Sequence, residues 1–306
     1  MPSMISRRRI LALLAASPSL GPALAAPQAE FSSSVNVVSL LVTVRDKSGK
    51  FVNELDQDDF TVEEDGQPQT IRYFSRQYDL PLTLGLLVDF SLSQVQVLAE
   101  ELTASAKFFQ QVLRERVDQA FLVAFATQAW LMQDLTGSRA ELETCLGKMG
   151  KGLPSGAAGG TVLYDAIAGA SDQVMRKLQG RKALVLLTDG EDMGSNHTLD
   201  KAIASCQRSD TVAYSIGIGS GLVGGSSILQ ALSRRTGGGY FAVNKKQTVD
   251  VIYQTIEEEL RSQYNIGYAP PPRPPGKNRT GFHRVRVTVK RTGATVRTRD
   301  GYYSSG

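Results

Sequence analysis

At 306 residues, with 42% hydrophobic and 21% charged side chains, the chain can bury a substantial core as one large domain or two modest ones. Its composition excludes a disordered, collagenous or disulfide-scaffold protein. The formal charge of +4 does not point to nucleic acid either: Arg7, Arg8 and Arg9 supply three of the 34 basic residues, and the rest of the chain sets 31 bases against 30 acids.

Those arginines open an export-signal pattern over residues 1–25. They precede the short apolar run Ile10 to Ala16 and the small-x-small sequence Ala23-Leu24-Ala25. The run is too short to span a bilayer, and Pro18, Gly21 and Pro22 prevent its extension, so no stable membrane span is expected after cleavage. Ser6-Arg7-Arg8-Arg9-Ile10-Leu11 is similar to a twin-arginine signal, with the general secretory route as the alternative. Either way the protein is expected to be exported, to a periplasm or the extracellular space. Cys145 and Cys206 are expected to be two buried thiols rather than a disulfide, because each falls in a helical segment.

Val35 to Arg45 is β-rich and is followed by the turn Asp46 to Lys50. Phe60 to Glu63 and Thr70 to Phe74 flank Asp65-Gly66, a pair suited to a tight turn, and predict a second hairpin. From Leu82 strands alternate with helices, the signature of a mostly parallel sheet covered on both faces. The strands are Leu82 to Val88, Ala120 to Ala126, Ala183 to Leu187, Thr211 to Ile218 and Tyr240 to Val243, with Trp130 to Gln133 as a short antiparallel partner. The helices are Gln94 to Arg114, Arg139 to Lys148, Leu163 to Leu178, Leu199 to Arg208, Ser227 to Arg235 and Val249 to Ser262. A Gly-rich loop, Gly150 to Gly160, precedes the third of these.

Beyond Ser262 the alternation stops. Tyr264 to Tyr268 reads as a strand, Ala269 to Gly276 is Pro-rich, and His283 to Arg291 alternates Val285, Val287 and Val289 with basic residues. The first β segment has too few strands for a stable sandwich alone, and the last segment carries about the number it lacks. The predicted architecture is therefore α/β: a doubly wound, mostly parallel sheet over residues 80–262, inserted in a small antiparallel β domain formed by residues 26–79 and 263–306.

Three segments carry chemistry. Asp89-Phe90-Ser91-Leu92-Ser93 ends the first parallel strand with one carboxylate and two hydroxyls at alternate positions. Gly159-Gly160-Thr161 precedes Leu163-Tyr164-Asp165-Ala166-Ile167, and Thr188-Asp189-Gly190 ends another strand. Taken singly, these residues read as helix caps or turns. Taken together they are a hard-cation ligand set of oxygen atoms.

In this order, with Thr236-Gly237-Gly238-Gly239-Tyr240-Phe241 and Leu260 to Tyr268 behind them, the segments resemble a von Willebrand factor type A domain of the bacterial secreted kind. The resemblance implies a metal ion-dependent adhesion site at the carboxyl end of the sheet, made by Asp89, Ser91, Ser93, Thr161 and Asp189. The implied cofactor is a divalent cation, Mg²⁺ first, with Mn²⁺ or Ca²⁺ as alternatives. The implied partner is a protein presenting an acidic side chain, bound without turnover.

Other functions have weaker support. Gly219-Ser220-Gly221-Leu222-Val223-Gly224 matches a dinucleotide fingerprint in its glycines, but the ribose-binding acid expected about twenty residues on is absent from Val243-Asn244-Lys245-Lys246. There is no P-loop and no nucleophile elbow, and His197 and His283 fall in different predicted domains. His197 is expected to be a solvated loop residue or helix-entry residue rather than a general base, and Glu191 and Asp192 exposed turn acids rather than a second cation site or a tuner of the first. Two alternatives to adhesion stay open: a metal-dependent phosphohydrolase, and a structural envelope module with a vestigial site.

Overall fold

The computed structural model describes residues 37–76, 80–91, 94, 97–152, 160–219, 225–270 and 281–304. The expected export signal lies outside them. So do Ser93, most of the Gly-rich loop, the Pro-rich segment from 271 and residues 220–224 of the dinucleotide-like motif. Among the described residues, no helix is long and apolar enough to cross a membrane.

The predicted central sheet is present. Its strands are β5 (Leu82–Asp89), β6 (Gln119–Phe125), β7 (Ala129–Thr136), β8 (Arg181–Thr188), β9 (Val212–Gly217) and β10 (Tyr240–Ala242). They run in the order β10-β9-β8-β5-β6-β7, all parallel except β7, which pairs antiparallel with β6. Every residue of β5 and of β8 is buried, as expected of central strands covered on both faces. One face carries a core that includes Leu84, Leu86, Phe108, Phe109 and Tyr253, the other a core that includes Leu87, Phe121, Leu163, Ile203 and Leu229. The covering helices are α1 (Leu98–Val112), α2 (Arg139–Met149), α3 (Leu163–Gly169), α4 (Leu199–Arg208), α5 (Gly225–Thr236) and α6 (Val249–Arg261). Cys145 and Cys206 are buried free thiols.

The described segments on either side of the α/β region meet in two four-stranded antiparallel sheets. One contains β1 (Val38–Arg45), β4 (Ile71–Arg76), β11 (Tyr264–Tyr268) and β13 (Thr295–Arg297); the other contains β2 (Phe60–Glu64), β3 (Gln67–Gln69), β12 (Gly281–Val289) and β14 (Gly301–Ser304). Strands from before the α/β region pair with strands from after it, β1 with β11 and β2 with β12. Both sheets contribute to a shared core that includes Leu40, Val42, Phe60, Val62, Ile266 and Val287.

Three local expectations are corrected. The hairpin closed by Asp65-Gly66 pairs β2 only with the short β3, whereas Ile71–Arg76 crosses to the other sheet and pairs with β11. That crossing sets the Phe74 ring 5.8 Å from Tyr264 and 5.6 Å from Phe60, in an aromatic cluster between the sheets. The helix expected to continue to Leu178 leaves α-geometry after Gly169, widening over Ala170–Val174 and tightening over Met175–Lys177. The wide turn lies where Ser171 meets the Cys206 thiol and Asp172 accepts from Ser205, both on α4. Finally, α1 starts at Leu98 rather than Gln94, leaving Gln94 to a loop role.

The joint between the two parts is polar. Glu259, fully buried near the end of α6, accepts from Arg45 of β1 at 3.0 Å, Arg297 of β13 at 2.8 Å and the Tyr214 hydroxyl of β9 at 3.2 Å.

Candidate metal centre

In a doubly wound sheet the loops at the carboxyl ends of the strands form the ligand face, and Asp89, Thr161 and Asp189 all lie there. Asp89 ends β5, the strand between β6 and β8, and its side chain is completely buried. Its carboxylate accepts from the Thr188 hydroxyl at 2.6 Å and from the Ser91 backbone amide at 2.8 Å. The Ser91 side chain bonds to it as well. The reading of Asp89 as a helix cap fails, because α1 begins at an N-cap, Val97, that makes no side-chain cap bond.

Asp189 follows β8 directly and is also buried. It accepts from Gln94 Nε2 at 3.0 Å and from the Glu191 amide at 3.0 Å. The turn it opens needs glycine. Gly190 has φ +83°, and a Cβ there would lie 2.6 Å from the Gly225 carbonyl oxygen, while a Cβ on Gly225 would lie 2.0 Å from that of Asp189. Gly225, the first residue of α5, and Gly190 thus permit a close backbone approach behind Asp189.

Thr161 is buried and bridged by backbone to the loop after Asp189, with the Met193 amide donating to its carbonyl at 2.8 Å. The Val162 amide donates to the Ala126 carbonyl at the end of β6, so Thr161 is held between the β6 and β8 ends.

Two nearby acids act as braces. Asp192 accepts from the Tyr164 amide at 3.1 Å and the Ser195 hydroxyl at 2.6 Å; Asp165 accepts from the Asn196 and His197 amides and pairs with His197 Nδ1 at 2.5 Å. His197 is exposed and stands directly before the Thr198 N-cap of α4, as a loop or helix-entry residue would, and its pairing with Asp165 also clasps the loop to the first turn of α3. The two histidines sit in different parts of the fold, His197 against Asp165 and His283 against Asp65.

Burial, together with the nearby Asp189 charge, raises the Asp89 carboxyl to about 6 despite the hydrogen bonds that oppose the shift. A third acid was missed by sequence reasoning. Glu101, on the buried face of α1, is 2% exposed, neither of its oxygens has a hydrogen-bond partner among the described residues, and burial with the Asp89 charge pushes it up to about 8. The named donors to Asp89 and Asp189 are hydroxyl, amide and carboxamide groups, none of them cationic. Carboxylates crowded in a buried site with neutral hydroxyls beside them suit a hard divalent cation, whose charge would reverse the repulsion that raises Asp89.

A family model described as the von Willebrand factor type A domain matches residues 84–255, more than half of the chain. No curated protein matches the chain. Proximal thread matrix protein 1 from the mussel byssus aligns with a TM-score of 0.50 at 18% identity, over 62% of this chain and 48% of its own. BatB from Bacteroides thetaiotaomicron aligns with a TM-score of 0.47 at 15% identity, over 58% of this chain and 97% of its own. A form of the mussel protein described with a zinc-occupied MIDAS motif aligns at 17% identity over 64% of this chain and 49% of its own, with a TM-score of 0.48.

Proposed function

The chain belongs to the von Willebrand factor type A domain family, and on that basis we propose that it is an exported binding protein that captures a protein ligand through a divalent cation. Asp89, Ser91, Ser93, Thr161 and Asp189 hold the ion, and an acidic side chain of the partner completes its coordination. The reading takes residues 80–262 as the binding unit and the strands of 26–79 and 263–306 as its β support. Mg²⁺ is the ion best suited to hydroxyl and carboxylate oxygen, and Mn²⁺ and Ca²⁺ share the preference.

The observation that carries the proposal is the fully buried Asp89 carboxylate, raised in part by the Asp189 charge beside it and held by neutral donors. A cation there turns the repulsion into a joint attraction, and a partner carboxylate then meets a fixed positive charge in a partly desolvated site. The reading assigns no turnover; at this face the His197 ring and backbone amide are engaged by Asp165.

The test is capture of partners from an envelope extract with and without chelator, using the wild-type protein and Asp89→Ala. Partners retained only with divalent ion and only by wild type support the proposal. Equal retention in all four conditions, or metal-dependent hydrolysis of generic phosphate esters that is lost in Asp189→Ala, overturns it.

A further inference from the structure

In the second β sheet, away from the ligand loops, another set of metal-binding side chains converges. β12 pairs antiparallel with β2 in a register that sets Val285 opposite Glu64, so His283 lies just past the end of β2, where Asp65-Gly66 reverses the chain. Asp65 is clamped to the facing strand from both sides: its amide donates to the Arg284 carbonyl at 2.9 Å, and its Oδ1 accepts from the Arg284 amide at 2.9 Å. His283 Nδ1 lies 2.8 Å from Asp65 Oδ2 and 3.9 Å from Glu64 Oε1. One ligand atom from each of the three residues falls within 4.8 Å of the other two.

The outward atoms of the same side chains are held in place. Glu64 Oε2 accepts from the Tyr268 hydroxyl at 2.7 Å and the Tyr302 hydroxyl at 3.0 Å, while His283 Nε2 lies 3.2 Å from Ser304 Oγ. Fixing the far atom of each ligand is how proteins orient imidazole and carboxylate toward a metal. Exposure is graded across the group, at 1% for the Glu64 side chain, 13% for His283 and 49% for Asp65. Glu64 is therefore the buried end of the group and Asp65 its solvent end.

We propose that Glu64, Asp65 and His283 form a cation site of their own, taking a transition-metal ion of the zinc class through one imidazole nitrogen and two carboxylate oxygens, with water at a fourth corner. Zinc bonds to such atoms at about 2.0–2.2 Å, so tetrahedral ligand atoms sit about 3.3 Å apart, and the 2.8 and 3.9 Å separations here straddle that value. The imidazole separates this site from the all-oxygen set at Asp89, because nitrogen ligands favour zinc over Mg²⁺ or Ca²⁺. The proposal does not depend on metal binding at the sheet edge. Its competitor is a His283 that only pins the turn through its hydrogen bond to Asp65.

The test is a calorimetric titration of the chelator-stripped full chain with zinc, comparing wild type, Asp89→Ala, His283→Ala and Asp65→Asn. One zinc equivalent should survive Asp89→Ala. It should be lost, or weakened more than about 100-fold, in the other two variants, since even outer-shell partners carry about 10- to 100-fold. Residue 65 has φ 50°, a conformation Asn adopts readily, so Asp65→Asn keeps the test valid where His283→Ala does not fold. Cobalt added to Asp89→Ala should give the visible absorption of a tetrahedral centre, absent from the Asp65→Asn, Asp89→Ala double variant. Zinc stoichiometry and affinity unchanged by His283→Ala and Asp65→Asn, or no zinc binding by Asp89→Ala, overturns the proposal.

Discussion

The Thr188 hydroxyl donates a 2.6 Å hydrogen bond to the buried Asp89 carboxylate, tying the last residue of β8 to the last residue of β5 one position before Asp189. The same hydroxyl accepts from the Gly190 amide at 3.1 Å, so it also shapes the turn that presents Asp189. Thr188→Val keeps the shape and removes both bonds. Because the acceptor is charged, the loss should be about 1.5–3 kcal/mol of stability. It should be larger at pH 8, where Asp89 is ionised, than at pH 5. Denaturant unfolding in chelator at the two pH values checks this, and an equal loss at both would mean that Thr188 acts through packing alone.

Asp89→Asn removes the charge and nearly preserves the shape. In chelator the variant should be more stable than wild type at pH 8, on the order of 1–2 kcal/mol, because a buried carboxylate raised from 3.8 to about 6 is a net burden on the fold once ionised. It should also lose any rise in melting temperature that Mg²⁺ gives the wild type. Thermal melts with Mg²⁺ and with chelator measure both effects. A variant less stable than wild type in chelator would show that the hydrogen bonds to Asp89 outweigh its burial.

What was legible in the sequence was local. The oxygen ligands announce themselves as polar residues at the ends of apolar runs, and the change of period at Leu82 and again after Ser262 marks where one architecture gives way to the other. What was hidden depends on register. Thr188 reaches Asp89 only because β8 lies beside β5 in parallel with Val88 opposite Leu187, a pairing between residues about a hundred positions apart. Glu101 shares the helical face of Ser105, Phe108 and Val112, and Glu64 continues the alternation that buries Phe60 and Val62. In both cases the periodicity was present and the charge argued against it. The crossing of Ile71–Arg76 between sheets was hidden for a related reason, since a tight-turn dipeptide fixes the reversal but not how far the returning strand stays paired.

Glu101 gives the apo protein a pH dependence of definite sign. Its carboxyl is raised from 4.5 to about 8 in the folded chain, so between those values the folded state holds a proton that the unfolded state has released. Stability is therefore highest below about 4.5 with respect to this group and falls as pH rises toward 8. Glu101→Gln removes the titration. It should leave stability at pH 4 nearly unchanged and raise it at pH 8 by up to a few kcal/mol. Urea unfolding at pH 4, 6 and 8 in chelator checks the slope, and a Glu101→Gln profile parallel to wild type would place the titration elsewhere.

The buried Glu259 carboxylate holds the α/β part to the β sheets through two arginines from opposite ends of the chain, Arg45 and Arg297, whose side chains keep 23% and 35% exposure while the acid has none. The pair is asymmetric. Losing Glu259 frees two guanidinium groups that can turn toward water, whereas losing both arginines leaves a carboxylate inside the protein with only the Tyr214 hydroxyl and no cation. Removing the partners of a buried charge costs about 3–5 kcal/mol, so the Arg45→Ala, Arg297→Ala double variant should lose an amount in that range. Each single variant should lose much less, because the remaining arginine still neutralises Glu259, and the sum of the two should fall short of the double. Glu259→Gln should be milder than the double variant. Chemical denaturation of the four proteins gives the cycle, and additive losses would show that the two arginines do not share one charge.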